Sequence, residues 1–341
     1  MTDGARAEEA EGAEEGAERA DPTPAPARKR LWPALRILIS IALLAAVFSQ
    51  VDIGPGIELL RRARVEFIIL TILVGIGGRF FAAFRWHLLL RAMGRAVSYL
   101  SLVRLTFIGM FLSFMPAGTI ALEIGRVYGL NRETSDLASS FASVFVERLF
   151  GLAALMILAL AGLALAPPGV PEVVGRLAWL GFGLLALGSI ALMNERLRAI
   201  PRRLLNAFGL EAVRHRLDNV YRCLDEMKDR PGLLLWSAVA ALLNTAFRIL
   251  PAFLLAHALG IDVTIIQLWI IVPIIVLAAQ IPIAVGGLGV REIGFVALLG
   301  VIGVPASEAV ALSLLLVATL LAVSLPGAWF YARYGLAAPG K

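Results

Sequence analysis

The chain has one cysteine, Cys223, in 341 residues. No internal disulfide can form, and no cysteine pair shows metal-ligand spacing. The three histidines, His87, His215 and His257, stand far apart and make no zinc or haem pattern, so no metal or cofactor is expected. No Asp-rich pair, His–Glu helix motif or Ser-His-Asp set occurs. The groups that an intramembrane enzyme would use as nucleophile, metal ligand or base are therefore missing, and catalysis is not expected. Charge is also scarce. Only 16% of residues are Asp, Glu, Lys or Arg, while 59% are apolar, and the mean hydropathy is +0.84. A soluble domain of this length needs far more polar surface. The net charge of +6 lies mostly in loops that flank apolar segments, where lipid headgroups account for it and nucleic acid need not.

Long apolar runs take the place of these missing features. Residues 1–33 form an acidic tail ending in the basic cluster Arg28, Lys29 and Arg30, with eight acidic residues among the first 27. That composition cannot bury a core and reads as a disordered, solvated tail. Spans of about 20 apolar residues follow, at roughly Ala34–Val51, Phe67–Leu90, Leu137–Leu165, Arg176–Met193, Leu233–His257 and Ala306–Tyr331. Two further apolar segments, Tyr99–Leu130 and Ile265–Gly300, break at Pro116 and Pro282. The loop 194–232 holds nine Lys/Arg and belongs on the cytoplasmic side. With a cytoplasmic N-terminus, the count of crossings closes only if each broken segment returns to the side it entered from. The expectation is an all-α polytopic membrane protein with six full spans, two re-entrant broken-helix hairpins and both termini cytoplasmic. It places the chain in the cell membrane, inner or plasma. Arg61, Arg62 and Arg64 run against this scheme, because it puts them outside. Within the basic loop, Leu210, Val213, Leu217, Val220, Tyr221, Leu224 and Met227 recur at helical spacing. They predict an amphipathic helix, lying on the headgroup layer or packed beneath the bundle.

The two broken segments are introduced by similar text. "AMGRAVSYLSL" begins at Ala92 and "ALGIDVTIIQL" at Ala258, 166 residues later. In each, a glycine (Gly94, Gly260) ends one helix and a Ser or Thr (Ser98, Thr264) caps the next. A proline then breaks the hairpin tip. One copy starts inside and the other outside. The membrane region 34–333 thus reads as an inverted repeat with halves 34–166 and 176–333. Inverted repeats with paired broken helices are a recurrent design of secondary transporters.

Charges inside such segments cost about 2.5–3.5 kcal/mol each on insertion scales, so they require partners or a function. Glu123 and Arg126 stand three apart on the return arm of the first hairpin and can pair on one helix face. Arg291 and Glu292 are adjacent and must each find a partner elsewhere. Arg79 and Arg248 sit mid-span, and Glu147 and Arg148 lie a third of the way along theirs. Arg85 and Arg91 fit snorkelling to the inner boundary. The arginines together point to an anionic ligand, or else to static ion pairs that hold the bundle. The helix start after Gly286, Gly287 and Gly289 would add backbone donors and a favourable dipole for phosphate or carboxylate.

These stretches carry a family resemblance. "FMPAGTIALEIGRVYGL" (Pro116, Glu123, Arg126), "SVFVERLFGL" (Glu147, Arg148) and "IPIAVGGLGVREIG" (Pro282, Gly286, Gly287, Gly289, Arg291, Glu292) occur in order. They resemble the membrane domain of lysylphosphatidylglycerol synthase and its flippase-like relatives, over about Leu35 to Arg333. Before Glu123, where the family usually has glycine, this chain has Leu122. The resemblance implies translocation of an anionic phospholipid or an isoprenoid or lipid-linked headgroup between leaflets. Neither the aminoacyl-transferase domain of the synthases nor lysyl-lipid synthesis is expected here. Arg79, Arg126, Arg248 and Arg291 would hold the headgroup, with Glu123, Glu147 and Glu292 tuning it. The alternatives are an intramembrane lipid-modifying enzyme and an accessory subunit for a lipid or cell-envelope biosynthesis enzyme.

Overall fold

The computed structural model describes residues 28–52, 54–115, 118–165, 175–176, 179–183, 187–188, 195–228, 230–279, 284 and 287–336. Residues 1–27 of the acidic tail, the tips at Pro116 and Pro282, Gly286 and most of the segment 176–193 lie outside the described residues, while residues 28–33, read from the sequence as the end of the tail, begin the first helix. All regular elements described are helices: α1 Arg28–Gln50, α2 Gly54–Arg61, α3 Val65–Ala92, α4 Tyr99–Leu112, α5 Thr119–Thr134 and α6 Leu137–Leu165. They continue with α7 Glu195–Ala207, α8 Glu211–Lys228, α9 Pro231–Leu259, α10 Ile265–Ala279, α11 Val290–Gly300 and α12 Ala306–Tyr334. Four of them, α3, α6, α9 and α12, are long and apolar enough to cross a membrane. A fifth crossing is available if Leu35–Gln50 and α2, bent by 96°, count as one.

α3 and α9 make the most extensive helix contact in the molecule. They run antiparallel. At one end the Arg64 amide donates to the Ala258 carbonyl at 2.9 Å, and the Arg64 guanidinium donates to the His257 carbonyl at 3.2 Å. At the other end the Arg230 guanidinium donates to the Arg91 carbonyl at 2.5 Å. Arg64 and Arg230 are 166 residues apart, and so are Arg91 and His257. Each arginine therefore closes the C-terminal carbonyls of the other half's helix. Midway, Phe81 meets Phe247, also its own equivalent, with ring centroids 5.6 Å apart. Equivalent helices that pack antiparallel about a self-equivalent pair define a pseudo-two-fold axis perpendicular to both helices.

Most of the other contacts obey the same exchange. α3–α4 matches α9–α10, α4–α5 matches α10–α11 and α5–α6 matches α11–α12. Across the halves, α4–α12 matches α10–α6 and α3–α12 matches α9–α6. The helix ends are equivalent too. Gly94 (φ 73°) and Gly260 (φ 70°) both adopt the left-handed conformation that glycine tolerates. The amides of Arg95 and Ile261 then bond back to Leu90 and Ala256 at 2.8 and 2.9 Å. The caps of the next helices differ from expectation in one respect. Thr264 and Gln267 form a reciprocal capping box at the start of α10. Ser98 occupies the corresponding position before α4, but its side chain makes no cap bond.

Both broken segments fold back on themselves. Arg104 on α4 pairs with Glu133 on α5 at 3.1 Å. Nearer the tip, Gly109 faces Arg126 and Gly125 faces Leu112, so the two arms are antiparallel. In the second hairpin Gly294 on α11 lies against Ile275 on α10, and Gly287 lies against Ala279. The arms have 14, 16, 15 and 11 residues. At 1.5 Å per residue none reaches across a hydrocarbon core of about 30 Å with ease.

Two apolar cores result, one per half. Leu255, Leu268, Phe295 and Leu312 anchor the second, which α2 covers through Leu59 and Leu60. Trp86, Leu102 and Leu130 anchor the first. The adjoining cluster there takes Val220 from α8 against Ala142 and Val146 of α6. The amphipathic helix of the basic loop thus packs on the bundle through Val220 and Tyr221, while Leu210 and Val213 stay exposed. The arginines that ran against the topology also find roles. Arg62 pairs with Glu58 within one turn at 2.8 Å, and Arg64 closes the end of α9.

Candidate functional site

A cavity of about 350 Å³ lies where α3–α6 meet α9–α12. Its charged lining comprises six arginines, Arg79, Arg85, Arg126, Arg148, Arg248 and Arg291, and two glutamates, Glu123 and Glu147. Long apolar helices would reject such a set singly, at the insertion cost of each charge. Here the hairpin arms are too short to span, which leaves an interior space where the charges converge.

Each glutamate is already engaged. Glu147, on α6 and 5% exposed, takes Arg85 from α3 and Arg126 from α5. Arg126 also lies 3.8 Å above the Trp86 ring, a cation–π contact that suits a dehydrated guanidinium. Glu123 takes Arg148. Two sequence readings are corrected by these pairs. Glu123 and Arg126 share a face of α5 but do not bond each other, because α6 offers each a partner across the helix interface. Arg85 does not snorkel: it is 8% exposed and turned inward onto Glu147.

Arg79, Arg248 and Arg291 differ. Among the described residues none of the three has an ion-pair partner. Arg79 Nη1 reaches only the Met110 sulfur, at 3.8 Å. Arg248 feels the positive charges of Arg79, Arg85 and Arg291 and the negative charge of Glu147, so these groups form one electrostatic cluster. With two carboxylates set against six guanidiniums, the described lining of the cavity holds four positive charges in excess. Two polar groups missed at the sequence level complete the wall. The Thr106 hydroxyl and Asn244 Oδ1 are buried, line the cavity and have no hydrogen-bond partner among the described residues. Their only sequence signal is a polar side chain within an apolar helix.

The glycine-rich turn plays another part. Gly287 (φ 78°) and Gly289 (φ 86°) turn the chain into α11. A Cβ on Gly289 would stand 2.5 Å from Leu43 Cβ on α1, and one on Gly287 would stand 2.8 Å from Ala279 Cβ. The Gly289 N–H donates to Glu292 Oε2 at 2.5 Å, and Ser313 on α12 donates to Oε1 at 3.2 Å. Glu292 is fully buried. The backbone donor and the dipole expected to meet a ligand anion are met by the protein's own carboxylate instead. Gly287, Gly289 and Glu292 are not in the cavity wall. They lock the start of α11 against α12, and that places Arg291 in the wall.

Away from the cavity, Asp136 caps α6. Its Oδ1 accepts the Ser139 amide at 2.9 Å, and its Oδ2 accepts Arg95 at 3.0 Å. Burial opposes the charge on Asp136, but the Ser139 hydrogen bonds and the Arg95 charge outweigh it and hold its carboxyl below the usual range.

The family profile described as the lysylphosphatidylglycerol synthase TM region matches residues 34–327. The chain is also 29% identical over 118 residues to the UPF0104 membrane protein PH1989 of Pyrococcus horikoshii. That match covers 34% of this chain and 35% of the relative, about a third of its length. No solved structure matches the chain. The described helices and the profile agree on a membrane protein with a lipid-related setting. The chain belongs to the family of the lysylphosphatidylglycerol synthase TM region.

Proposed function

We propose that the protein is a lipid translocase, which carries an anionic lipid headgroup between the two leaflets through the arginine-lined cavity. One observation supports this above the others: six arginines face two carboxylates in a single interior cavity, and three of the six have no carboxylate partner among the described residues. An unpaired charge within the apolar layer is costly, so a binding site for an anion accounts for these three where a static ion-pair network does not. The two hairpins would act as re-entrant loops from opposite leaflets, with the termini cytoplasmic. The pseudo-two-fold relation of the halves then supplies two states of similar energy for alternating access. No covalent step is needed.

The test is leaflet exchange in vesicles that contain the purified protein and a trace of fluorescent phosphatidylglycerol or polyprenyl phosphate. Exchange above protein-free vesicles is expected for one of these lipids, with loss of at least tenfold in Arg291→Gln. Wild-type protein that accelerates neither lipid would overturn the reading.

A further inference from the structure

The cavity has two unlike walls. α6 and α12 have equal length and start at Leu137 and Ala306, so their positions are compared from the helix starts rather than at the 166-residue offset. At the eleventh and twelfth positions α6 carries Glu147 and Arg148, and α12 carries Leu316 and Val317; all four line the cavity. α4 and α10 repeat the contrast. At the eighth and twelfth positions Thr106 and Met110 on α4 correspond to Val272 and Val276 on α10, and again all four line the cavity. The pseudo-two-fold axis would make the walls alike. The side chains have made one polar and the other apolar.

We infer that this cavity takes the headgroup and the first part of the chain of an amphiphile in one orientation, a lipid whose headgroup carries at least two negative charges. The phosphate faces Arg79 on the α3–α6 wall, and the first part of the chain lies on Val272, Val276, Val317 and Leu320 of α10 and α12. Arg248 and Arg291 come from the otherwise apolar half and close over the phosphate. Asn244 Oδ1 and the Thr106 hydroxyl, buried and without a partner among the described residues, receive the hydroxyl or amine of the group next to it. The charge follows from the cavity's own balance. Among the described residues three guanidiniums lack a carboxylate, and a phosphodiester would answer one of them. A phosphomonoester, near −1.5 to −2 at pH 7, or a diphosphate answers two or more. A lysylated, net cationic headgroup is the worst match. This inference rests on the translocase reading and names the substrate class for the same site.

Binding to the full chain in a non-ionic detergent, measured by calorimetry with four probes, tests it. The probes are inorganic phosphate, inorganic pyrophosphate, dodecyl phosphate and dodecylphosphocholine. Each buried methylene raises affinity about fourfold, so dodecyl phosphate is expected to bind about 100-fold more tightly than inorganic phosphate once three or four methylenes are covered. It is also expected to exceed dodecylphosphocholine, which has the same chain and no net charge, by about tenfold or more. Val276→Thr with Leu320→Gln should weaken dodecyl phosphate and leave both inorganic anions unchanged, whereas Arg291→Gln should weaken all three phosphates. Equal affinity for inorganic phosphate and dodecyl phosphate would mean a site for soluble anions and overturn the inference. Equal affinity for dodecyl phosphate and dodecylphosphocholine would overturn the charge assignment. Vesicles that show exchange of phosphatidylglycerol without any binding of dodecyl phosphate would leave the translocase standing and remove this inference. Tight dodecyl phosphate binding without exchange would do the reverse.

Discussion

Two kinds of arginine share one cavity, and they predict opposite responses to substitution. Arg85 and Arg126 are tied to Glu147 in a dehydrated cluster. Removing that carboxylate strands two buried guanidiniums, and breaking such a pair costs about 3–5 kcal/mol. Glu147→Gln should therefore lower the unfolding midpoint in detergent strongly. Arg291 has no carboxylate partner to strand among the described residues, so Arg291→Gln should leave that midpoint unchanged or raise it while exchange is lost. A drop in stability for Arg291→Gln equal to that for Glu147→Gln would show Arg291 to be a structural ion. Asp136 sets a pH dependence at the same scale. Its folded pKa lies below the ordinary value of about 3.9. The stability it contributes is therefore fully present above that value and is lost as pH falls through the folded one. Thermal unfolding followed by circular dichroism should show an acid loss below about pH 4, and this loss should be smaller in Asp136→Asn.

Among the elements, close approach of helices depends on single glycines. Gly327 on α12 faces the backbone of α4, and any Cβ there would overlap the Phe107 carbonyl oxygen. Backbone cannot move aside as a flexible side chain can. Gly327→Ala should cost about 1–3 kcal/mol or more through overpacking. Gly77 on α3 has open space around its Cβ position, and Gly77→Ala should gain about 0.5–1 kcal/mol from helix propensity. Unfolding midpoints of the two variants should move in opposite directions. The ends of α3 and α9 allow a second comparison. Arg64 and Arg230 make equivalent bonds to carbonyls at opposite ends of helices about 42 Å long. Each alanine variant should cost about 0.5–1.5 kcal/mol. The double variant should be additive, since no partner is shared. Helices were legible in the sequence because their apolar runs have the length a span requires. The kind of contact each makes was not, because glycine at a crossing and glycine in open space look the same in a one-dimensional text.

For the whole molecule, the antiparallel packing of α3 and α9 makes a statement about sidedness. Ala96 and Asp262 are exposed and occupy equivalent positions just beyond the two helices. In a Cys223→Ser background, Ala96→Cys and Asp262→Cys should react with an impermeant maleimide from opposite sides of the membrane. Reaction from a single side would remove the inverted relation. The 166-residue offset already suggested the repeat. The matched hydrogen bonds of Arg64 and Arg230, and the self-equivalent Phe81–Phe247 contact, show the axis that relates the copies.

By itself the sequence determined the class, the long helices, the hairpin-forming segments and the presence of charges that apolar surroundings must compensate. These follow from local composition, since about 20 apolar residues suffice to mark a span wherever they occur. Its glycines before α11 also marked a special turn. Only the tertiary structure decided the pairing. It gave Glu147 to Arg85 and Arg126, Glu123 to Arg148, and Glu292 to the start of its own helix, and it left Arg79, Arg248 and Arg291 facing the cavity. Partner choice depends on which helices touch and which atoms come within about 3 Å of one another, and those distances exist only once α3–α6 have closed on α9–α12.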